Sequence, residues 1–289
     1  MSENCTSTDP AYLIINADDY GYFKGVSRGI LDGARNGVIR ATGIMANSPD
    51  FDECITWLEG VETLDTGVHL NLTHGRPLST QMTSCLGKWN GSFPGKFDIA
   101  LAILTAKLPV QCVLEEWQEQ IQRCLDAGLQ ISFLNTHEHI HMLPVLFKGI
   151  CKLADKYDIP FVRYPSPEWQ YWGGGGGAIR NLMLHGMHLF NGKQIPAGTP
   201  KLVGMGESGK LDINYLEKCF TTLLPGRTYE LMCHPGYLDP GEIEDPKLLA
   251  YHHWEQELDI FVGSKLPRLC DSAGIRLVGY RDLLKKERL

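Results

Sequence analysis

The chain has 289 residues, 43% hydrophobic and 21% charged, which excludes a disordered or collagen-like protein and leaves room for one large α/β domain or two modest ones. With 27 basic against 34 acidic side chains the net charge is −7, so the charge balance favours no nucleic acid and no anionic membrane, and a small molecule is the expected partner. Nine scattered cysteines without a CxxC pair argue against a disulfide framework and a cysteine zinc site, and read as reduced thiols of a cytoplasmic protein.

Residues 1–11 are polar, with neither a basic start nor an apolar run, and are expected to form a loose tail before a single domain over 12–289. No apolar run reaches the roughly 18 residues of a membrane span. Short runs rich in Val, Ile and Leu predict strands at 12–17 (YLIINA), 39–46 (IRATGIMA), 66–72 (TGVHLNL), 131–137 (ISFLNTH), 161–165 (FVRYP), 229–235 (YELMCHP) and 276–280 (RLVGY). Between them, apolar residues three and four apart predict amphipathic helices: Val26, Ile30, Ala34 and Val38, then Leu114, Trp117, Ile121 and Leu125, with Leu146, Ile150 and Leu153, and Leu216, Phe220 and Leu223, continuing the pattern. This alternation predicts a parallel sheet, and its spread along the whole length without a linker favours an irregular (β/α) barrel of the TIM type. Two segments read as loops, 86–97 and 165–209; the five glycines Gly173 to Gly177 predict a flexible surface loop, with a hinge for a substrate-covering flap as the functional alternative.

Ligands of a parallel α/β sheet bind beyond the carboxyl ends of its strands, so the polar residues that follow each apolar run are the candidates. They are Asn16, Asp18 and Asp19 after the first, His69 in the third, His137, Glu138, His139 and His141 after the fourth, and His234 near the end. Adjacent carboxylates at a strand end point apart, so one can hold a metal while the other stays free for proton transfer; a helix-capping aspartate is the structural alternative. In an extended chain His137, His139 and His141 share one face, compatible with a divalent metal, with His139 and His141 as well suited to supporting roles. Asp19, His69 and His137 together supply two imidazoles and a carboxylate, a catalytic set that leaves positions open, and His234 can act as proton donor across the site. His74, His185, His188, His252 and His253 follow no clear strand and read as bystanders.

At these residues the sequence resembles the YdjC-like carbohydrate deacetylases, through NADDYG (16–21), the segment 24–47, GVHLNLTHGRPL (67–78), NTHEHIHMLP (135–144), VRYP (162–165) and CHPGY (233–237), in order from about residue 12 to 282. The resemblance implies a distorted (β/α) barrel, metal-dependent removal of an acetyl group from an N-acetylated sugar of the N-acetylglucosamine or chitooligosaccharide type, and a divalent ion usually described as magnesium. It matches Asp19, His69 and His137 to the metal ligands and Asp18 to the general base; His234 matches a rim histidine, and its acid role is inferred from position. Asn135 stands where the family often has aspartate, and Glu138 where histidine is frequent. The resemblance makes Mg2+ the first choice of cofactor, while ligand softness suits two imidazoles and a carboxylate to zinc and makes Zn2+ the alternative. Arg163 is expected to orient Asp18 or touch substrate, with a structural ion pair as the other reading, and Trp89, Phe93, Trp169 and Trp172 to stack on sugar rings or pack their loops. A homodimer is a family-level expectation. The rivals are a metal-dependent phosphoesterase or amidohydrolase barrel, disfavoured because its HxH pair typically follows the first strand, and a non-catalytic sugar- or metal-binding descendant, disfavoured by the retained base.

Overall fold

The computed structural model describes residues 9–168 and 174–286, so residues 1–8 of the expected tail, Trp169, Trp172 and Gly173 lie outside the described residues. Among the described residues eight strands, all parallel, form one sheet: β1 (Ala11–Tyr20), β2 (Ala41–Ile44), β3 (Asp65–Leu70), β4 (Ile131–Thr136), β5 (Phe161–Val162), β6 (Lys201–Val203), β7 (Thr228–Cys233) and β8 (Ile275–Leu277). Their order is β5-β4-β3-β2-β1-β7-β6, and β8 lies along the first half of β1 while β2 lies along its second half. An isolated parallel bridge, Tyr164 to Lys201, links the end of β5 to the start of β6 and brings the sheet round into an irregular barrel with helices outside. This is the expected α/β barrel.

Every residue of β1 is buried, as a continuous apolar run flanked by strands requires. Of the residues the helical period selected, the helix Lys24–Arg35 buries Val26, Ile30 and Ala34, with Val38 beyond its end, and Val110–Asp126 buries Trp117 and Ile121 and half-buries Leu114 and Leu125. Inside the barrel, Tyr12, Ile14, Phe133, Phe161 and Tyr280 form a separate apolar cluster, with the Phe133 and Tyr280 rings stacked at a centroid distance of 4.5 Å.

Two expectations fail. The segment 165–209 is not one loop: it contains the helix Gly174–Asn191 and the strand β6. Gly174 to Gly177 open that helix, where the first N–H groups have no partner within the helix in any case, and tertiary anchors decide the rest. Leu184 is buried, and the buried Asn191 amide donates to the Met142 carbonyl at 2.9 Å. With three residues, β6 is too short to leave a period in the sequence. Nor does β4 run on through the histidines. It stops at Thr136, and residues 137–142 curl into a tight 3-10 turn with Glu138 and His139 at left-handed φ of 53° and 54°. Thr136 Oγ1 drives the curl by accepting from the His141 backbone N–H at 3.2 Å. The alternation that would have put three imidazoles on one face is lost.

Candidate active site

At the carboxyl end of β1 the pairing with β2 shifts register between Ala17 and Tyr20, and Asp19 takes φ 71°. In a regular strand Asp18 and Asp19 would face opposite sides. This kink lets both meet the same imidazole instead: His69 Nδ1 lies 3.9 Å from Asp18 Oδ1, and His69 Nε2 3.2 Å from Asp19 Oδ1. Each carboxylate still has its own surroundings, as expected for neighbours at a strand end.

Asp19 faces the histidines. Its Oδ1 is 3.0 Å from His137 Nδ1 and 3.2 Å from His69 Nε2, and the two ring nitrogens are 3.3 Å apart. Asp18 faces the barrel interior. It receives Asn135 Nδ2 on Oδ1 at 3.0 Å and Asn16 Nδ2 at 3.3 Å, and the Arg163 guanidinium on both oxygens at 2.5 and 2.9 Å. Burial opposes ionisation of Asp18, but Arg163, with help from His69, outweighs it and holds the carboxyl at about 2. Asp19 is likewise kept well below the usual range against its burial, by the charge and hydrogen bonds of His137 and then His69, and His137 is raised in return.

The donor set fits a divalent cation. A carboxylate only accepts, so the Asn135 nitrogen faces Asp18 and its carbonyl oxygen faces His69. His69 Nδ1 must then donate to that oxygen, at 2.7 Å, and its Nε2 turns a lone pair on the Asp19 carboxylate. Two acceptors so placed need a donor or a cation between them: the His137 Nδ1–H, 3.0 Å from Asp19 Oδ1 and 3.3 Å from His69 Nε2, or a metal ion that takes the place of that proton. The three atoms, 3.0 to 3.3 Å from one another, are spaced as neighbouring ligands about 2.1 Å from a shared ion would be. Asp19, His69 and His137 are the one such group found among the described residues. Gly43 of β2 makes the arrangement fit: a Cβ there would come within 3.1 Å of His69 Cβ and 3.2 Å of Asn135 Oδ1.

Residues 12–272 match the YdjC-like protein family. The chain belongs to that family. It is 27% identical to a carbohydrate deacetylase of Geobacillus stearothermophilus over 279 residues, covering 96% of this chain and 99% of the relative. A carbohydrate deacetylase of Halalkalibacterium halodurans is 33% identical over 230 residues, 78% of this chain and 86% of the relative. A crystal structure from Enterococcus faecalis, titled a cellobiose-phosphate cleavage protein, covers 95% of this chain and 99% of its own with a TM-score of 0.71; at 23% identity the likeness shows the fold.

Against this family background the other expected residues separate. His234 follows β7 and is buried, and its backbone N–H donates to Glu257 at 2.6 Å. Its turn is fixed by contact with the first helix, since a Cβ on Gly29 would lie 2.5 Å from Gly236 Cα. His141 is buried behind the site: Nε2–H donates to the Arg163 carbonyl at 2.9 Å and Nδ1 accepts from Thr136 Oγ1. His139 is half-buried, with its Nδ1 buried and unpartnered. Glu138 pairs with Lys96 at 2.8 Å. Trp89 is half-buried against the core, with the Lys88 ammonium 4.7 Å from its ring centre, and Phe93 is buried, its N–H on the Gly75 carbonyl; both pack their loop.

Three acidic or aromatic contributors escaped sequence reasoning. Glu230, inside β7, accepts Arg163 Nε at 2.8 Å and Asn16 Nδ2 at 2.9 Å; a lone acid in an apolar strand was the available signal. Tyr22, on the turn after Asp19, sets its ring 5.5 Å from that of His137. His252, expected to be a bystander, is buried with its ring centre 4.9 Å from that of His234 and stacked on Trp254. It comes from a loop 18 residues downstream of His234, too far along the chain for strand-end reasoning to reach. Among the described residues no helix is long and apolar enough to cross a membrane.

Proposed function

We propose that the chain is a divalent-metal-dependent hydrolase that cleaves the acetamido group of an N-acetylated sugar, of the N-acetylglucosamine or chitooligosaccharide type, to acetate and a free amine. The curated relatives, named carbohydrate deacetylases, support the reaction class. One observation carries the reading: Asp19 Oδ1, His69 Nε2 and His137 Nδ1 form a close triangle beside a second carboxylate, Asp18, that is held separately by Arg163.

Asp19 Oδ1, His69 Nε2 and His137 Nδ1 would hold the ion, magnesium as first choice and zinc as the alternative. Such an ion, when bound, supplies Lewis acidity toward the acetyl carbonyl and toward water. Asp18, ionised at any working pH, takes the proton of the attacking water, and Arg163 fixes the direction in which its oxygens point. His234 returns a proton to the departing amine. Burial lowers its pKa, so it rests as a neutral imidazole and must receive its proton within the cycle.

The test is acetate release from N-acetylated chitooligosaccharides, with elemental analysis of protein purified without added metal. Asp18→Asn should abolish release while metal still binds, and Asp19→Ala should lose both. Full activity in Asp18→Asn would sink the scheme.

A further inference from the structure

The short helix Thr80–Cys85 ends with its last side chain against the helix Val110–Asp126, where the sulfurs of Cys85 and Cys112 lie 3.0 Å apart. A disulfide is 2.03–2.05 Å long, so about 1 Å of approach separates this contact from a bond. Both are free thiols, Cys85 half-exposed and Cys112 buried. Of the other described cysteines, Cys54, Cys124, Cys219, Cys233 and Cys270 are buried, and Cys151, half-exposed, lies beside the Gln194 carbonyl.

The pair also sits on a face that already holds the neighbouring segment. Four and eight residues beyond Cys112, on the same side of the helix, Glu116 accepts the backbone N–H groups of Leu78 and Ser79 at 3.0 and 2.8 Å, and Gln120 both accepts from and donates to the Asn71 backbone at 2.8 Å. That segment leaves directly from the end of the His69 strand and carries His74, whose ring lies 4.6 Å from that of Tyr22.

We propose that Cys85 and Cys112 are a modification site: a dithiol that a small-molecule disulfide such as oxidised glutathione converts reversibly into an intramolecular disulfide. The Cys85 thiolate attacks one sulfur of the reagent, breaking its S–S bond and releasing one small thiol, which takes up the proton Cys85 gave to water. The Cys112 thiolate then attacks the Cys85 sulfur of the mixed disulfide, forming the protein S–S bond and releasing the second small thiol. Two protein thiols are oxidised and one reagent disulfide is reduced. Exposure sets the order, since the reagent reaches Cys85 and Cys112 is placed to resolve. The contact with Cys112 pushes the Cys85 thiol up to about 11, which makes exchange slow near neutrality and calls for excess reagent. The bond would add a covalent tie to the helix face that Glu116 and Gln120 already use.

The experiment treats the full chain with excess oxidised glutathione at mildly alkaline pH, blocks remaining thiols with iodoacetamide and maps the peptides. The expected product is a Cys85–Cys112 linked peptide, two fewer alkylated thiols, and reversal by dithiothreitol. The unfolding midpoint should rise by roughly 3–8 °C on oxidation of the wild type and stay unchanged in Cys85→Ser, a half-exposed position that leaves the core intact. Recovery of both cysteines in alkylated form, or of Cys85 halted as a glutathione adduct with Cys112 alkylated, would overturn the proposal.

Discussion

Arg163 holds both carboxylate oxygens of Asp18 and, through Nε, one oxygen of Glu230, so a single buried guanidinium serves two buried carboxylates. Replacing it by methionine strands two negative charges away from water. Arg163→Met should destabilise the fold by about 3–5 kcal/mol in urea unfolding. Arg163→Lys keeps the charge but cannot grip two acceptors in a plane, and should recover only part of that loss. Equal stability of wild type and Arg163→Met would show that the cluster is neutralised in some other way.

Asn135 gives the sharpest test of how His69 is set. Its oxygen fixes the tautomer of His69 while its nitrogen steadies Asp18, and an ionised aspartate can do only the first. Asn135→Asp should therefore place a carboxylate beside Asp18, raise the Asp18 pKa and lower acetate release near neutrality. Asn135→Ala should weaken divalent-ion binding about 10–100-fold in calorimetric titration.

Adding the right ion should stabilise the fold. At a free ion concentration one hundred times its dissociation constant, linkage predicts about 2.7 kcal/mol, seen as a rise in Tm that chelator reverses. Asp19→Ala should abolish the rise, and comparing magnesium with zinc ranks the two candidates directly.

Gly43→Ala is expected to harm the site more than the fold. The added methyl meets His69 and Asn135 at 3.1–3.3 Å, close enough to push both by a few tenths of an ångström. Ion affinity should fall about tenfold, while stability should change by no more than the 1–3 kcal/mol typical of overpacking.

Glu257 predicts a pH dependence of stability. Burial pushes its carboxyl up to about 8 from the usual 4.5, despite the N–H groups of His234 and Leu211 that it accepts. The folded chain thus holds a proton that the unfolded chain releases. This contribution is complete below about 4.5 and disappears as the pH climbs through about 8. Unfolding free energies of Glu257→Gln, measured from pH 5 to 9, should decline less steeply than those of wild type.

Much of this was legible in the sequence because β1, β3, β4 and β7 are short apolar runs with acid or imidazole at or just beyond their carboxyl ends, so strand-end reasoning singled out Asp18, Asp19, His69, His137 and His234. What escaped depends on contacts distant in the chain. The curl at residues 137–142 is made by Thr136 and by the Arg163 carbonyl, neither of which alters the HxHxH spacing. The helix from Gly174 is secured by packing that propensity does not encode, and His252 meets His234 only because the intervening chain folds back. Asn135, which stands where the family often has aspartate, accepts from His69 and donates to Asp18, two opposite senses that one carboxylate could not serve together.

The bridge between Tyr164 and Lys201 is the narrowest joint in the strand ring, and Arg163 is the residue just before it. Opening that joint would expose the buried Tyr164 and Leu202 and loosen the hold of the neighbouring guanidinium on Asp18 and Glu230. The cost of separating those charges therefore acts as a latch: the interior electrostatics keep the seam shut, and the seam keeps the carboxylate aimed.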